Sequence, residues 1–308
     1  MNFYLIPGDN EAPLARLAIS GDGSSALAGT GAGTILRYEM DGNPPEELAR
    51  PRPAQAIAGL AFAGAGLEAL ALAMTSPTAG DILRIHETGG VELLYADAPF
   101  RFGGLAMSAD GSFGLMSGGG QLLRYFPEQR SYLPVETPAD LLLAGIAFAG
   151  ETAEAIVVGG GQSGGFVAAY EPRPETGRLR LLPSPALPAL ETVASDAAGR
   201  GFLAGGQPGT LAWIAKGEPV RTVPGPPHCT VHGIAFHPAE SWALVATGPA
   251  AGAEKGAQLF RFDGKSLNLS PLYEGPPGAG AFLSVGFHPN GARALVGTEW
   301  GQLLEIAF

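Results

Sequence analysis

The chain carries one cysteine, Cys229, so no disulfide can form within it and nothing in it demands an oxidising compartment. Long apolar runs are missing too: no stretch approaches the ~20 uncharged residues of a membrane-spanning helix. The opening Met1-Asn2-Phe3-Tyr4-Leu5-Ile6-Pro7 has neither a basic leader nor an apolar stretch long enough for a secretory signal. Charged residues are scarce at 15%, and the basic ones scarcest: 18 Lys and Arg stand against 29 Asp and Glu, for a net charge of -11. Binding to a nucleic-acid backbone draws its affinity from clustered cations, so this balance argues against it. The expectation is an acidic cytoplasmic protein with no membrane span and no nucleic-acid partner.

Glycine (47) and proline (27) are abundant instead, at a level typical of low-complexity sequence unless they recur at a fixed period. They do recur. One phrase appears seven times: an apolar strand, a turn, a small-residue strand, a Gly-rich loop and a third strand. Its anchors are Ile19, Phe62, Met107, Phe148, Ala194, Phe236 and Phe287, roughly 41 to 51 residues apart. The longest interval contains Pro249 to Ala257, read as a loop insertion.

The first strand of each unit is short and built from small residues, as in Gly59-Leu60-Ala61-Phe62 and Gly233-Ile234-Ala235-Phe236, which lets inner strands crowd an axis. The second, as in Ile156-Val157-Val158-Gly159, is apolar on both faces and predicts sheets packed on both sides. The fourth, as in Val91-Glu92-Leu93-Leu94-Tyr95, is more polar, as an outer strand should be. The seventh unit ends after its third strand, while Asn2 to Ile6 forms an extra strand ahead of the first. Residues 1–308 therefore read as one all-β domain. It is a seven-bladed β-propeller with four-stranded blades, its N-terminal strand completing the last blade so that no long edge is left open.

The turns Ser20-Gly21-Asp22-Gly23, Ser108-Ala109-Asp110-Gly111, His237-Pro238-Ala239-Glu240 and His288-Pro289-Asn290-Gly291 resemble the strand-turn phrase of WD-repeat and YVTN-type propellers. Gly33-Thr34-Ile35-Leu36-Arg37 and Gly80-Asp81-Ile82-Leu83-Arg84 look like repeats of photosystem-assembly propellers. The resemblance implies that the loops joining strand four to strand one, and strand two to strand three, share one ligand-binding face. On that face it places Phe100, Arg101, Gln162, Gln207, His228, His232, Glu299 and Trp300 as candidates.

Two glycine motifs lack the context their chemistry needs. Gly159-Gly160-Gly161-Gln162-Ser163-Gly164 spells a dinucleotide fingerprint, and Gly161 to Gly165 a hydrolase nucleophile elbow, but each requires a following helix where a strand is expected. His228-Cys229-Thr230-Val231-His232 brings three nitrogen and sulfur donors within five residues, making His228, Cys229 and His232 the candidate ligands for a divalent metal. No organic cofactor is expected. His237 and His288 precede proline and read as turn residues. Arg37, Arg84, Arg124 and Arg261 share one third-strand position, as a basic ring or, the favoured reading, as four local ion pairs or solvent-reaching side chains.

Two functions follow. One is a non-catalytic scaffold presenting its loop face to a protein partner, since no acid-base or nucleophile constellation stands out. The alternative, implied by resemblance to lactonase-like and lyase-like propellers, is a small-molecule enzyme at the channel mouth. It would use His228, His232 and Glu299 as acid-base or metal groups.

Overall fold

A computed structural model describes residues 1–6, 12–40, 45–51, 55–63, 68–99, 101–150, 152–173, 176–197, 199–250, 256–276 and 280–308. Among them, 28 strands form seven four-stranded antiparallel sheets, one per blade. No helix there is long and apolar enough to cross a membrane. The innermost strands are Leu14–Ile19, Ala56–Phe62, Phe102–Met107, Leu141–Phe148, Leu190–Ser195, Cys229–Phe236 and Phe282–Phe287. Within blades 1 to 6 the strands pair in sequence order, each with the next.

Blade 7 differs as the sequence predicts. Its outermost strand is Asn2–Ile6, antiparallel to Leu303–Ala307, with Leu5 opposite Leu304 and Ile6 opposite Leu303. Phe3 lies outside this pairing in function: its ring stacks on Tyr273 of blade 6, centroids 4.4 Å apart, so the N-terminal strand is tied to two blades.

The second strands are the most deeply covered; Ser25–Thr30 and Gly201–Gly206 are buried at every residue. A sheet in a propeller has a neighbour on each face, which is why these strands lack the alternation of a half-exposed sheet. The apolar core is accordingly divided. The described residues contain seven buried clusters, each joining two adjacent blades, from Leu27 with Ile57 and Leu83 to Leu295 with Leu14 and Ala26.

On the face opposite the candidate loops, turns between first and second strands interlock. His237 stacks on Trp242 at 5.0 Å while its Nδ1 accepts the amide N–H groups of Ala239 and Glu240, at 3.2 and 3.0 Å. Its ring also fills the space beside Gly291, which has φ +73° and no room for a Cβ. His288 accepts from the Asn290 amide at 3.2 Å and sits in the same way against Gly23, φ +75°, linking blade 7 to blade 1. Both histidines are thus turn residues. In blades 1 and 3 a serine and an aspartate build the turn instead: Asp22 and Asp110 accept from the Ser24 and Ser112 amides.

One detail departs from the sequence reading and another lies partly outside the described residues. In blade 5 the residue equivalent to Phe62 and Phe236 is Ser195, which faces Phe202 as Phe62 faces Ala69 and Phe236 faces Ala243; the anchor lies one residue beyond Ala194. In the proposed insertion, residues 251–255 lie outside the described residues, between the strands Trp242–Pro249 and Gln258–Asp263.

Removing residues 1–6 bares the Leu303–Ala307 edge and unseats Phe3. The truncated chain is expected to melt roughly 10 °C lower, with a broader transition, in thermal unfolding followed by circular dichroism. A truncation that melts like the intact chain would show that closure contributes no stability.

Candidate functional site

Seven strands converging on one axis leave little room, and each inner strand resolves the crowding in the same way. A β-bulge interrupts its pairing at one equivalent point, between Leu14 and Arg16, Ile57 and Gly59, Phe102 and Gly104, Leu143 and Gly145, Leu190 and Thr192, Val231 and Gly233, and Phe282 and Ser284. A bulge leaves one residue outside the ladder and re-aims its side chain. These residues lie towards the face bearing the strand-four-to-one and two-to-three loops, where they help to line an axial cavity of about 220 Å³.

The bulged residue is Ala, Gly or Leu in five blades. In blades 5 and 6 it is Glu191 and His232, whose carboxylate and Nδ1 lie 3.6 Å apart. Gln207, from the loop between the second and third strands of blade 5, donates from Nε2 to Glu191 Oε1 at 2.8 Å. These contacts, the His232 one foremost, hold the Glu191 carboxyl below its ordinary pKa although burial opposes them.

Blade 1 contributes Arg16 at the position just after the bulge, where blades 2, 3, 4 and 6 have glycine. Its guanidinium reaches along the wall, donating from Nε to the Ala58 carbonyl at 2.7 Å, from Nη1 to Ala15 at 2.9 Å and from Nη2 to Gly103 at 3.4 Å. All three carbonyls belong to bulged residues, so one side chain satisfies acceptors that the bulges withdraw from the ladder in blades 1, 2 and 3. Burial lowers the pKa of Arg16 from its ordinary value, and the charge of Glu191 across the channel pulls it back up.

The sequence candidates fall into three groups. Gln207 and His232 meet in the channel, joined by Glu191. Arg101, Gln162, His228, Glu299 and Trp300 are on the loop face: Arg101 and His228 are exposed in four-to-one loops, Gln162 is in the hairpin turn of blade 4, and Glu299 with Trp300 is in the corresponding loop of blade 7. Phe100 lies outside the described residues. Among the metal candidates, His228 has φ +61° and is exposed, while the Cys229 thiol is buried and donates to Gln258 Oε1 at 3.6 Å. His232 turns to the axis, so the three donors point to different surroundings. No group of three His, Cys, Asp or Glu among the described residues is arranged to hold a metal ion.

The four third-strand arginines are engaged one by one. Arg37 pairs with Glu39 at 2.7 Å and Arg84 with Glu68 at 2.6 Å. Arg124 lies over the Phe113 and Phe126 rings and Arg261 over Trp242, at 4.3, 4.7 and 4.4 Å from the centroids. Arg261 is exposed to solvent, as the favoured reading allows, while lying over an aromatic ring as Arg124 does, and Glu305 at the same position pairs with Arg293 at 3.5 Å.

Sequence reasoning missed Arg16 and Glu191. The signal was there: both replace small or apolar residues at aligned positions of the inner-strand phrase, a departure visible once Leu14-Ala15-Arg16-Leu17 is set beside Ile57-Ala58-Gly59-Leu60 and Leu190-Glu191-Thr192-Val193.

No protein-family model matches the sequence, and neither does any curated protein. Solved structures do share the fold. The crystal structure of the β-propeller domain of Cps50 (Swd1) from Myceliophteria thermophila superposes with a TM-score of 0.73 at 13% identity, covering 100% of both chains. Blade count, blade topology and this likeness together define a WD-repeat-like seven-bladed β-propeller.

Because the folded state holds Glu191 below its ordinary pKa, the stability it confers is present above the unfolded value of about 4.3 and is lost as pH falls through the depressed folded value. Glu191→Gln is therefore expected to melt below wild type at pH 7. The gap should narrow as pH falls below that unfolded value in parallel thermal scans; a gap that is independent of pH would show that the carboxylate charge contributes nothing.

Proposed function

We propose that this propeller is a non-catalytic binding module that presents its loop face to a protein partner. One observation carries the reading. Of the ten large hydrophobic side chains exposed among the described residues, Trp300 at 50% and Leu142 at 69% stand on that face. Tryptophan is the side chain most enriched among residues that dominate binding energies, and an exposed leucine gains by being covered.

Leu142 also borders a groove of about 640 Å³ between blades 3 and 4, walled by Gly119, Gly120, Pro138, Asp140 and Gln162. Glycine and proline walls expose backbone and hold their shape on binding, which suits an extended segment of another chain. The lone buried cysteine agrees with a reducing compartment, and we place the protein in the cytoplasm on that basis.

The enzyme reading has one observation in its favour, the Glu191–His232 pair beside Arg16. A carboxylate next to an imidazole can orient a base, but the Ser284 hydroxyl in the same channel is committed to the Leu14 carbonyl at 2.9 Å. That leaves it structural rather than poised as a nucleophile.

The test is affinity capture with the intact protein, followed by quantitative binding of the captured partner. Leu142→Asp and Trp300→Ala are each expected to weaken binding by roughly 30-fold, the loss expected of an interface anchor. Melting temperatures should stay within about 3 °C of wild type, as for surface substitutions. Retention of the partner by both variants would remove the loop face from the interaction.

A further inference from the structure

The axial cavity brings together two opposite charges that do not touch. Arg16 comes from blade 1 and Glu191 from blade 5, and both line the same space of about 220 Å³. Among the described residues, Arg16 makes no ion pair: its partners are the carbonyls of Ala15, Ala58 and Gly103. Glu191 contacts Gln207 and His232. The two charges act on one another across the cavity but form no ion pair, so a ligand carrying both signs can meet each of them directly.

The unused capacity on each side is specific. A guanidinium has five N–H donors. Three are spent on backbone carbonyls, one each from Nε, Nη1 and Nη2, leaving one on each terminal nitrogen. A carboxylate can accept from either or both of these remaining N–H groups. Each oxygen of Glu191 has a single neighbour, Gln207 at Oε1 and His232 at Oε2, and so retains room for a further donor.

We propose that the channel mouth is a binding site for a small zwitterion, an ω-amino acid whose carboxylate is taken by Arg16 and whose ammonium is taken by Glu191. A simple anion entering this space meets the Glu191 charge and a simple cation meets Arg16, so only a ligand with both charges is attracted at both ends. The size also agrees. At ~30 Å³ per water molecule the cavity has the volume of about seven waters, suited to an unbranched chain of a few carbons. This inference does not rest on the protein partner proposed for the loop face, although the channel opens towards that face.

The test uses the intact protein and the series glycine, β-alanine, 4-aminobutyrate and 6-aminohexanoate, titrated by calorimetry and by ligand-observed NMR. One chain length is expected to bind saturably, since the charge separation must match that of Arg16 and Glu191. The n-alkyl carboxylate and the n-alkylamine of the same length should each bind at least about 10-fold more weakly, a factor a single lost charge contact readily supplies. Glu191→Gln, which keeps the shape of the side chain, should weaken the best zwitterion by the same factor, its fold checked by thermal unfolding at pH 7. Arg16→Lys should do likewise, but the ligand series and Glu191→Gln decide the matter even if Arg16→Lys does not fold. The proposal is overturned if no member of the series binds wild type at about 10 mM, a weak-binding ceiling for so small a ligand. It is equally overturned if the singly charged analogues bind as well as the zwitterion, or if Glu191→Gln binds it as wild type does.

Discussion

Everything in this molecule is subordinate to the crowding of seven strands around one axis. At the position just after each bulge the chain meets the backbone of the next blade. A Cβ on Gly59 would press on Leu105 at 2.8 Å, one on Gly145 on Thr192 at 3.0 Å, and one on Gly233 on Ser284 at 3.1 Å. Glycine at this position is therefore a matter of distance between strands. In two of the three blades where the residue has a side chain, that side chain serves a neighbour: Ser284 bonds to Leu14 of blade 1, and Arg16 to Ala58 and Gly103 of blades 2 and 3. The polar groups in the channel are thus variations on a packing contact that recurs around the ring.

The same economy appears at the other end of the channel. His237 against Gly291 and His288 against Gly23 couple blade 6 to blade 7 and blade 7 to blade 1, with left-handed glycines making space for the rings. Since each hydrophobic cluster also spans two blades, no blade owns a core of its own. A sheet removed from the ring would expose apolar surface on both sides. Stability therefore belongs to interfaces between neighbours, as expected of repeat architectures.

The fold was legible because it is written many times. The Gly-Leu-Ala-Phe type of inner strand, the doubly apolar second strand and the spare strand at Asn2 to Ile6 all occupy the places that periodicity assigns. Blade 5 blurs the reading: Leu190-Glu191-Thr192-Val193-Ala194-Ser195 has no glycine and ends in a serine where its sisters end in a large apolar residue, so the periodicity points to Ala194 where Ser195 stands. The channel site was half legible. His232 stood out as a histidine and Gln207 as a loop residue. Arg16 and Glu191 sit inside strands, where a charge reads as solvent-facing until the bulge is seen to turn it inward. The third-strand arginines taken alone do not predict their own contacts, which are set by one other repeat position, occupied by Ser25, Glu68, Phe113 and Trp242, two residues before the second-strand residue opposite each arginine.

The closure of blade 7 also has a consequence in time. The strand Asn2–Ile6 is made well before its partner Leu303–Ala307, from which it is separated by nearly 300 residues. At ribosomal rates of ~5 to 20 residues per second, the first strand waits roughly 15 to 60 s for its mate. Hairpins of the earlier blades can form during that interval, since each pairs with sequence already made. Their ring cannot lock, and Tyr4 and Leu5 stay available to any other open strand edge. A growing chain of this kind is therefore vulnerable to mispairing until Leu303–Ala307 has been made, and a slower ribosome lengthens that exposure in proportion.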